Sequence, residues 1–151
     1  MAQIAVKAAQ IAKNPLKPNV VAIDIQPLQS IHGAHIIVGD FRTEVVRKEI
    51  DSIVHGRSVD VILSDMAPKF SGNMYSDSQH QLRLCYNALN MAHLYLKRDG
   101  NFVTKVLQCG DLDEYRRRLK KEFVTVETFK PAASRSESAE IYLVAKSFRP
   151  E

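Results

Sequence analysis

Lys105 stands inside "NFVTKVLQ", a run otherwise dominated by apolar and β-branched residues. An ammonium placed there needs a charged or hydrogen-bonding partner, because an unpaired buried charge is costly. Two acids occupy comparable positions: Asp65 ends the run "VDVILSD", just before "MAP", and Glu140 opens "EIYLVA". A cluster of one ammonium between two carboxylates would stabilise all three, and such clusters recur in active sites. The competing readings are that Lys105 snorkels to water from a strand end and that Glu140 faces solvent.

Two more apolar runs end in acids, "VVAID" at Asp24 and "HIIVGD" at Asp40. In nucleotide-binding α/β sheets, an acid ending the second strand accepts hydrogen bonds from a ribose diol. Asp24 suits that role, and Asp40 can accept from an adenine amine one strand over. Each also suits a plain strand-end cap, a setting that Asp favours. The five histidines, His32, His35, His55, His80 and His93, form no cluster, and Cys85 and Cys109 fit no ligand spacing. No metal site is expected, and the thiols read as reduced and intracellular.

The elements that must position these residues alternate. Ile4, Ala8 and Ile11 suit one face of an N-terminal helix that Asn14-Pro15 ends. "VVAID" and "HIIVGD" read as strands, and "RTEVVRKEIDSIV" as a helix with Val46, Ile50 and Ile53 on one face. The strand "VDVILSD" follows, then a loop marked by Pro68 and Gly72. The longest helix is expected from about Asp77 to Lys97, with Leu82, Cys85, Leu89, Ala92 and Leu96 on its stripe, Asp77 as its cap and Gly100 past its basic end. After "NFVTKVLQ" comes the helix "GDLDEYRRRLKKEF", then the strands "FVTVETF" and "EIYLVAKSF" joined by "KPAASRSESA". Apolar strands separated by helices imply a parallel α/β sheet covered on both faces, with ligands beyond the carboxyl ends of its strands. The last two strands lack an intervening helix, so the final one can run antiparallel.

At 151 residues and 45% hydrophobic content, one domain with one core is the default. No apolar run approaches the length of a membrane span, and the N-terminus lacks the pattern of a secretory signal. The net charge of +4 points weakly to a polyanionic partner. Arg116, Arg117, Arg118, Lys120 and Lys121 read as a solvated helix face, whereas Lys130 and Arg135 can contact phosphates.

Taken in order, "VVAIDIQP", "IIVGDF", "VDVILSDMAPKFSG", "GNFVTKVLQ", "DEYRRRLKKEF" and "KPAASRSESAEIYLVA" resemble successive segments of the FtsJ family, S-adenosylmethionine-dependent ribosomal RNA 2′-O-methyltransferases. The likeness runs from about Gln3 to the end, and its last segment is similar to both mitochondrial and bacterial members. The resemblance implies that Asp65, Lys105 and Glu140 are three of the four residues of a Lys-Asp-Lys-Glu catalytic set. It implies that Asp24 with Ile25 holds the cofactor ribose, that Asp40 and Phe41 meet its adenine, and that Asp65 also lies beside the cofactor. Lys130 and Arg135 would then position RNA.

The implied fold is a Rossmann-like methyltransferase sheet with an antiparallel last strand. The family's first strand, its glycine-rich turn and its first catalytic lysine have no counterpart in this sequence. That strand is central, between "VVAID" and "VDVILSD", and its loss leaves both neighbours with an unpaired edge. The expectation is an incomplete domain, residues 1–151, either a truncated gene model or a fragment of a longer enzyme. The expected donor is S-adenosyl-L-methionine and the expected partner ribosomal RNA or a ribosomal particle, with no membrane or metal. The protein is expected to act as a monomer in cytoplasm or mitochondrion. The alternative is a non-catalytic RNA-binding or ribosome-assembly remnant. A nucleotide-dependent dehydrogenase fits the fold class but leaves the Lys105 cluster unexplained.

Overall fold

A computed structural model of the chain describes residues 20–56, 59–108, 112–131 and 139–150. The order of its elements is β1 (Val20–Asp24), β2 (Ala34–Val38), α1 (Glu44–Val54), β3 (Val59–Ser64), α2 (Met74–Tyr95), β4 (Leu96–Leu107), α3 (Leu112–Glu122), β5 (Phe123–Phe129) and β6 (Glu140–Phe148). The expected N-terminal helix lies outside the described residues. The chain divides into two compact units, Met1–Gly56 and Arg57–Glu151.

In the first unit the β-branched runs of β1 and β2 pair in parallel, with Val20 opposite Ala34 and Asp24 opposite Val38. Past the ladder the Gly39 amide donates to the Asp24 carbonyl at 2.8 Å. A side chain at Gly39 would start 2.7 Å from Val46 Cγ2, so only glycine fits this approach. Thr43 caps α1, its hydroxyl accepting from the Val46 amide, and the stripe read from sequence buries Val46 and Ile50.

In the second unit the sheet order is β3-β4-β6-β5. β3 runs parallel to β4, and β6 runs antiparallel to both β4 and β5, as the missing helix before it allows. Alternation along β4 and β6 turns Phe102, Val106, Ile141, Leu143 and Ala145 to one face. That face packs with Cys85, Ala88, Leu89 and Ala92 of α2 and with Leu112, Tyr115 and Leu119 of α3. Each large apolar side chain buried here stabilises the unit by about 1.5–3 kcal/mol. In α3 the first turn holds Asp113 and Glu114 and the last holds Lys120 and Lys121, matching the helix dipole.

Three details differ from the sequence reading. α2 begins at Met74 with Asn73 as its cap, so Asp77 is inside the first turn rather than before it. The helix also stops at Tyr95, earlier than Lys97, and Gly100 is not its terminator. Gly100 lies in β4, where a Cβ would come within 2.8 Å of the Leu96 side chain and the Lys97 carbonyl. Finally, β3 leaves Val61 and Leu63 exposed instead of covered on both faces. Among the described residues β3 has one ladder partner, β4, and β1 has one, β2, which makes each an edge strand.

Candidate active site

The register of the antiparallel β4/β6 ladder brings the first two residues together. Lys105 lies opposite Tyr142 and Leu107 opposite Glu140. Lys105 and Glu140 are therefore diagonal neighbours on the sheet face turned away from α2 and α3, within reach for long side chains. Their ion pair closes at 3.4 Å between Nζ and Oε1, with 14% of the lysine side chain and 39% of the glutamate side chain exposed. A long apolar stem packed at a sheet surface with its ammonium held at the rim is what the alternation "VTKVL" encodes, since Thr104 and Val106 face the core.

Asp65 arrives from the adjoining strand. The β3/β4 ladder ends at Ser64 opposite Thr104, so Asp65 leaves the sheet one position on, abreast of Lys105. Its carboxylate is exposed, and the ion pair formed by the Lys105 ammonium is with Glu140. The register thus brings Lys105 and Glu140 into salt-bridge contact and leaves Asp65 one residue past the end of β3, next in register to Lys105. Asp65 keeps acceptor capacity at the rim beside a fixed ammonium.

Beyond Asp65 the loop of residues 65–73 turns back to α2. Asp77 accepts from the Ser71 amide at 2.9 Å, the Ser71 hydroxyl at 2.8 Å and the Gly72 amide at 3.2 Å. The hydrogen bonds from Ser71 hold its carboxyl below the ordinary carboxylate range. Gln81, one turn on, is almost wholly buried and its amide reaches both the Met66 and the Lys105 carbonyls. The sequence reading missed both connections. Two polar residues four apart on the otherwise apolar face of α2 were the available signal.

In the first unit Asp24 is the last residue of β1 and Asp40 follows β2, and both make local bonds. The Gln26 amide donates to Asp24 Oδ1 at 2.9 Å. The Arg42 amide and guanidinium both donate to Asp40, the closest contact being 2.6 Å, and this hydrogen-bonded cation lowers the Asp40 pKa. Ile25 is exposed and Phe41 half-buried. Lys130 is exposed after β5, whereas Arg135 lies outside the described residues. Among the described residues no group of three His, Cys, Asp or Glu is placed to hold a metal ion, and no helix is long and apolar enough to cross a membrane.

An α/β sheet whose last strand is inserted antiparallel, with acids and a lysine at strand ends, is the architecture of Rossmann-like methyltransferases. The chain belongs to the FtsJ-like methyltransferase family, whose profile matches residues 2–148. It is 42% identical over 130 residues to ribosomal RNA large subunit methyltransferase E of Neisseria meningitidis, an alignment covering 86% of this chain and 63% of the relative. The protein of the same name from Acinetobacter baumannii is 42% identical over 127 residues, which cover 84% of this chain and 59% of the relative. The chain therefore spans about three fifths of the length of these curated relatives. In fold it is similar to a Plasmodium falciparum protein described as a ribosomal RNA methyltransferase, with a TM-score of 0.85 at 24% identity, covering 99% of this chain and 80% of that one. A weaker fold likeness joins it to human methyltransferase-like protein 13, solved with SAH, with a TM-score of 0.52 at 17% identity, covering 87% and 61%.

Proposed function

We propose that this chain carries the site of a methyltransferase that modifies a ribose 2′-hydroxyl of large-subunit ribosomal RNA, with S-adenosylmethionine as donor. The observation that carries the reading is Lys105: an ammonium in an apolar strand, 3.4 Å from Glu140, with Asp65 abreast of it. Membership of the FtsJ-like family supports methyl transfer, and the names of the 42% identical relatives support the RNA. The family match across residues 2–148 supports treating the two compact units as parts of one methyltransferase domain. The protein would act where ribosomes are built, in cytoplasm or mitochondrion.

The donor set suits the cofactor. The Asp24 carboxylate has acceptor capacity for ribose hydroxyls beyond its bond from Gln26, and Asp40, held anionic by Arg42, can accept from an amine. Ile25 and Phe41 supply apolar contact beside them. When bound, S-adenosylmethionine supplies a methyl group on a sulfonium, already a strong electrophile. The protein's task is then alignment, which supplies much of the rate in such a displacement. Lys105 orients the hydroxyl, Glu140 holds the Lys105 ammonium in place, and Asp65 is the second acid of the rim. Lys130 and Arg135 would meet phosphates, which makes RNA binding weaken as salt rises.

The test supplies methyl-labelled S-adenosylmethionine and large-subunit ribosomal RNA or ribosomal particles, and locates label in alkali-resistant dinucleotides, the mark of a blocked 2′-hydroxyl. Lys105→Ala should abolish transfer and leave cofactor binding by calorimetry intact. Near-normal turnover in that variant would remove Lys105 from the chemistry. RNA binding without transfer by the wild-type chain would favour instead a non-catalytic RNA-binding or assembly protein.

A further inference from the structure

The first half of α2 buries polar residues where an amphipathic helix would bury apolar ones. Asp77, Gln81 and Cys85 fall four residues apart on one face, and all three are buried. Their bonds converge on the loop that follows Asp65 and on the backbone of Lys105. The Gln81 amide nitrogen donates to the Met66 carbonyl at 3.0 Å and to the Lys105 carbonyl at 2.7 Å. Cys85 Sγ also donates to the Lys105 carbonyl, at 3.4 Å. Two acceptors facing one amide group fix its orientation, because only the nitrogen can serve both. The consequence is that Gln81 Oε1 is buried with no hydrogen-bond partner among the described residues, which is unfavourable.

A buried amide that bridges the carbonyl of a β4 residue and that of the loop after β3, at the expense of its own oxygen, is not placed there for packing. The two carbonyls belong to Lys105 itself and to the residue after Asp65, just past the last paired residues of the β3/β4 ladder, Ser64 and Thr104. We infer that Gln81 is a positioning residue that sets Asp65 against Lys105 across the end of the ladder, with Asp77 as the second anchor of the loop. The inference rests on the reading that Asp65 and Lys105 serve methyl transfer. Gln81 touches neither the acid nor the ammonium, so it acts through the backbone alone.

The test compares the full chain with Gln81→Met, which keeps the length of the side chain, removes both donors and also removes the orphaned oxygen. Hydrogen exchange of the loop amides that carry bonds, those of Ser71 and Gly72, should quicken by about tenfold or more, whereas the thermal midpoint should stay within about 3 °C. Turnover should fall roughly 10–100-fold with KM for S-adenosylmethionine within about twofold. Gln81→Asn, one methylene too short to reach both carbonyls, should fall between the two and decides the matter if the methionine variant fails to fold. Unchanged exchange in the loop, or unchanged turnover, would overturn the inference. A wild-type chain that transfers no methyl group would overturn the functional reading on which it rests, while the exchange experiment still decides whether Gln81 clamps the loop.

Discussion

The ion pair between Lys105 and Glu140 should matter far more to turnover than to folding, and a double-mutant cycle can separate the two. At the observed 3.4 Å, Coulomb attraction amounts to about 1 kcal/mol in water and about 5 kcal/mol at an effective dielectric constant of 20. Glu140 is 39% exposed, so the pair sits towards the screened limit and contributes at most about 1 kcal/mol to stability. Lys105→Met keeps the packed stem and removes the charge, and Glu140→Gln keeps the shape and removes the other charge. Chemical denaturation should give a coupling between them of about 1 kcal/mol or less. Turnover, read with methyl-labelled S-adenosylmethionine, should fall at least about 100-fold in Lys105→Met, and the double variant should be no slower, because residues acting as a unit are non-additive. Losses of turnover that simply multiply would refute the reasoning. So would a coupling above about 3 kcal/mol in stability, which is the behaviour of a buried structural pair.

Two titrations probe the packing behind that site. The Tyr115 hydroxyl donates to the Cys85 carbonyl at 3.0 Å, and burial pushes its pKa well above the ordinary value. A group whose folded pKa is raised holds its stabilisation below the unfolded pKa and loses it above. The contribution of Tyr115 to stability should thus be flat up to about pH 10 and fall beyond it. Tyr115→Phe should cost about 0.5–1.5 kcal/mol at neutral pH and make the alkaline fall shallower, both read by denaturation. Asp77 has the opposite sign: its pKa is lowered by the bonds from Ser71, so its contribution is present above about pH 3.9 and fades as pH falls through the depressed value. Melting curves between pH 2 and 5, a range of about three units, should show a less steep acid limb in Asp77→Asn; an identical limb would mean that the loop does not depend on the carboxylate.

The secondary structure was legible because the periodicities were clean. "VVAID", "FVTVETF" and "EIYLVAKSF" are strands with the bounds that their composition marks, and the antiparallel last strand follows from the lack of a helix before it. The Lys105–Glu140 pair was legible because an ammonium in an apolar run must find a partner, and few acids were candidates. Strand ends and caps were less legible. Asn73 and Asp77 are both acceptable caps, and the choice between them depends on where Ser71 and Gly72 lie in space. Gly100 follows a helix in sequence, yet its lack of a side chain is needed by the packing of Leu96, a contact that no local pattern encodes.

Gln81 shows the limit most sharply. A glutamine in a helix is unremarkable by propensity, and at the edge of an apolar stripe it reads as the start of the solvent face. Its role arises only once the loop after β3 is brought alongside β4, so that the Met66 and Lys105 carbonyls both come within reach of one amide, a condition set by the β3/β4 register. Charges such as Lys105 announce themselves in sequence because an ammonium in an apolar run needs a partner. The groups that position them, Gln81 above all, become informative only through the backbone atoms they meet, so the site is read from sequence at its charges and from structure at its supports.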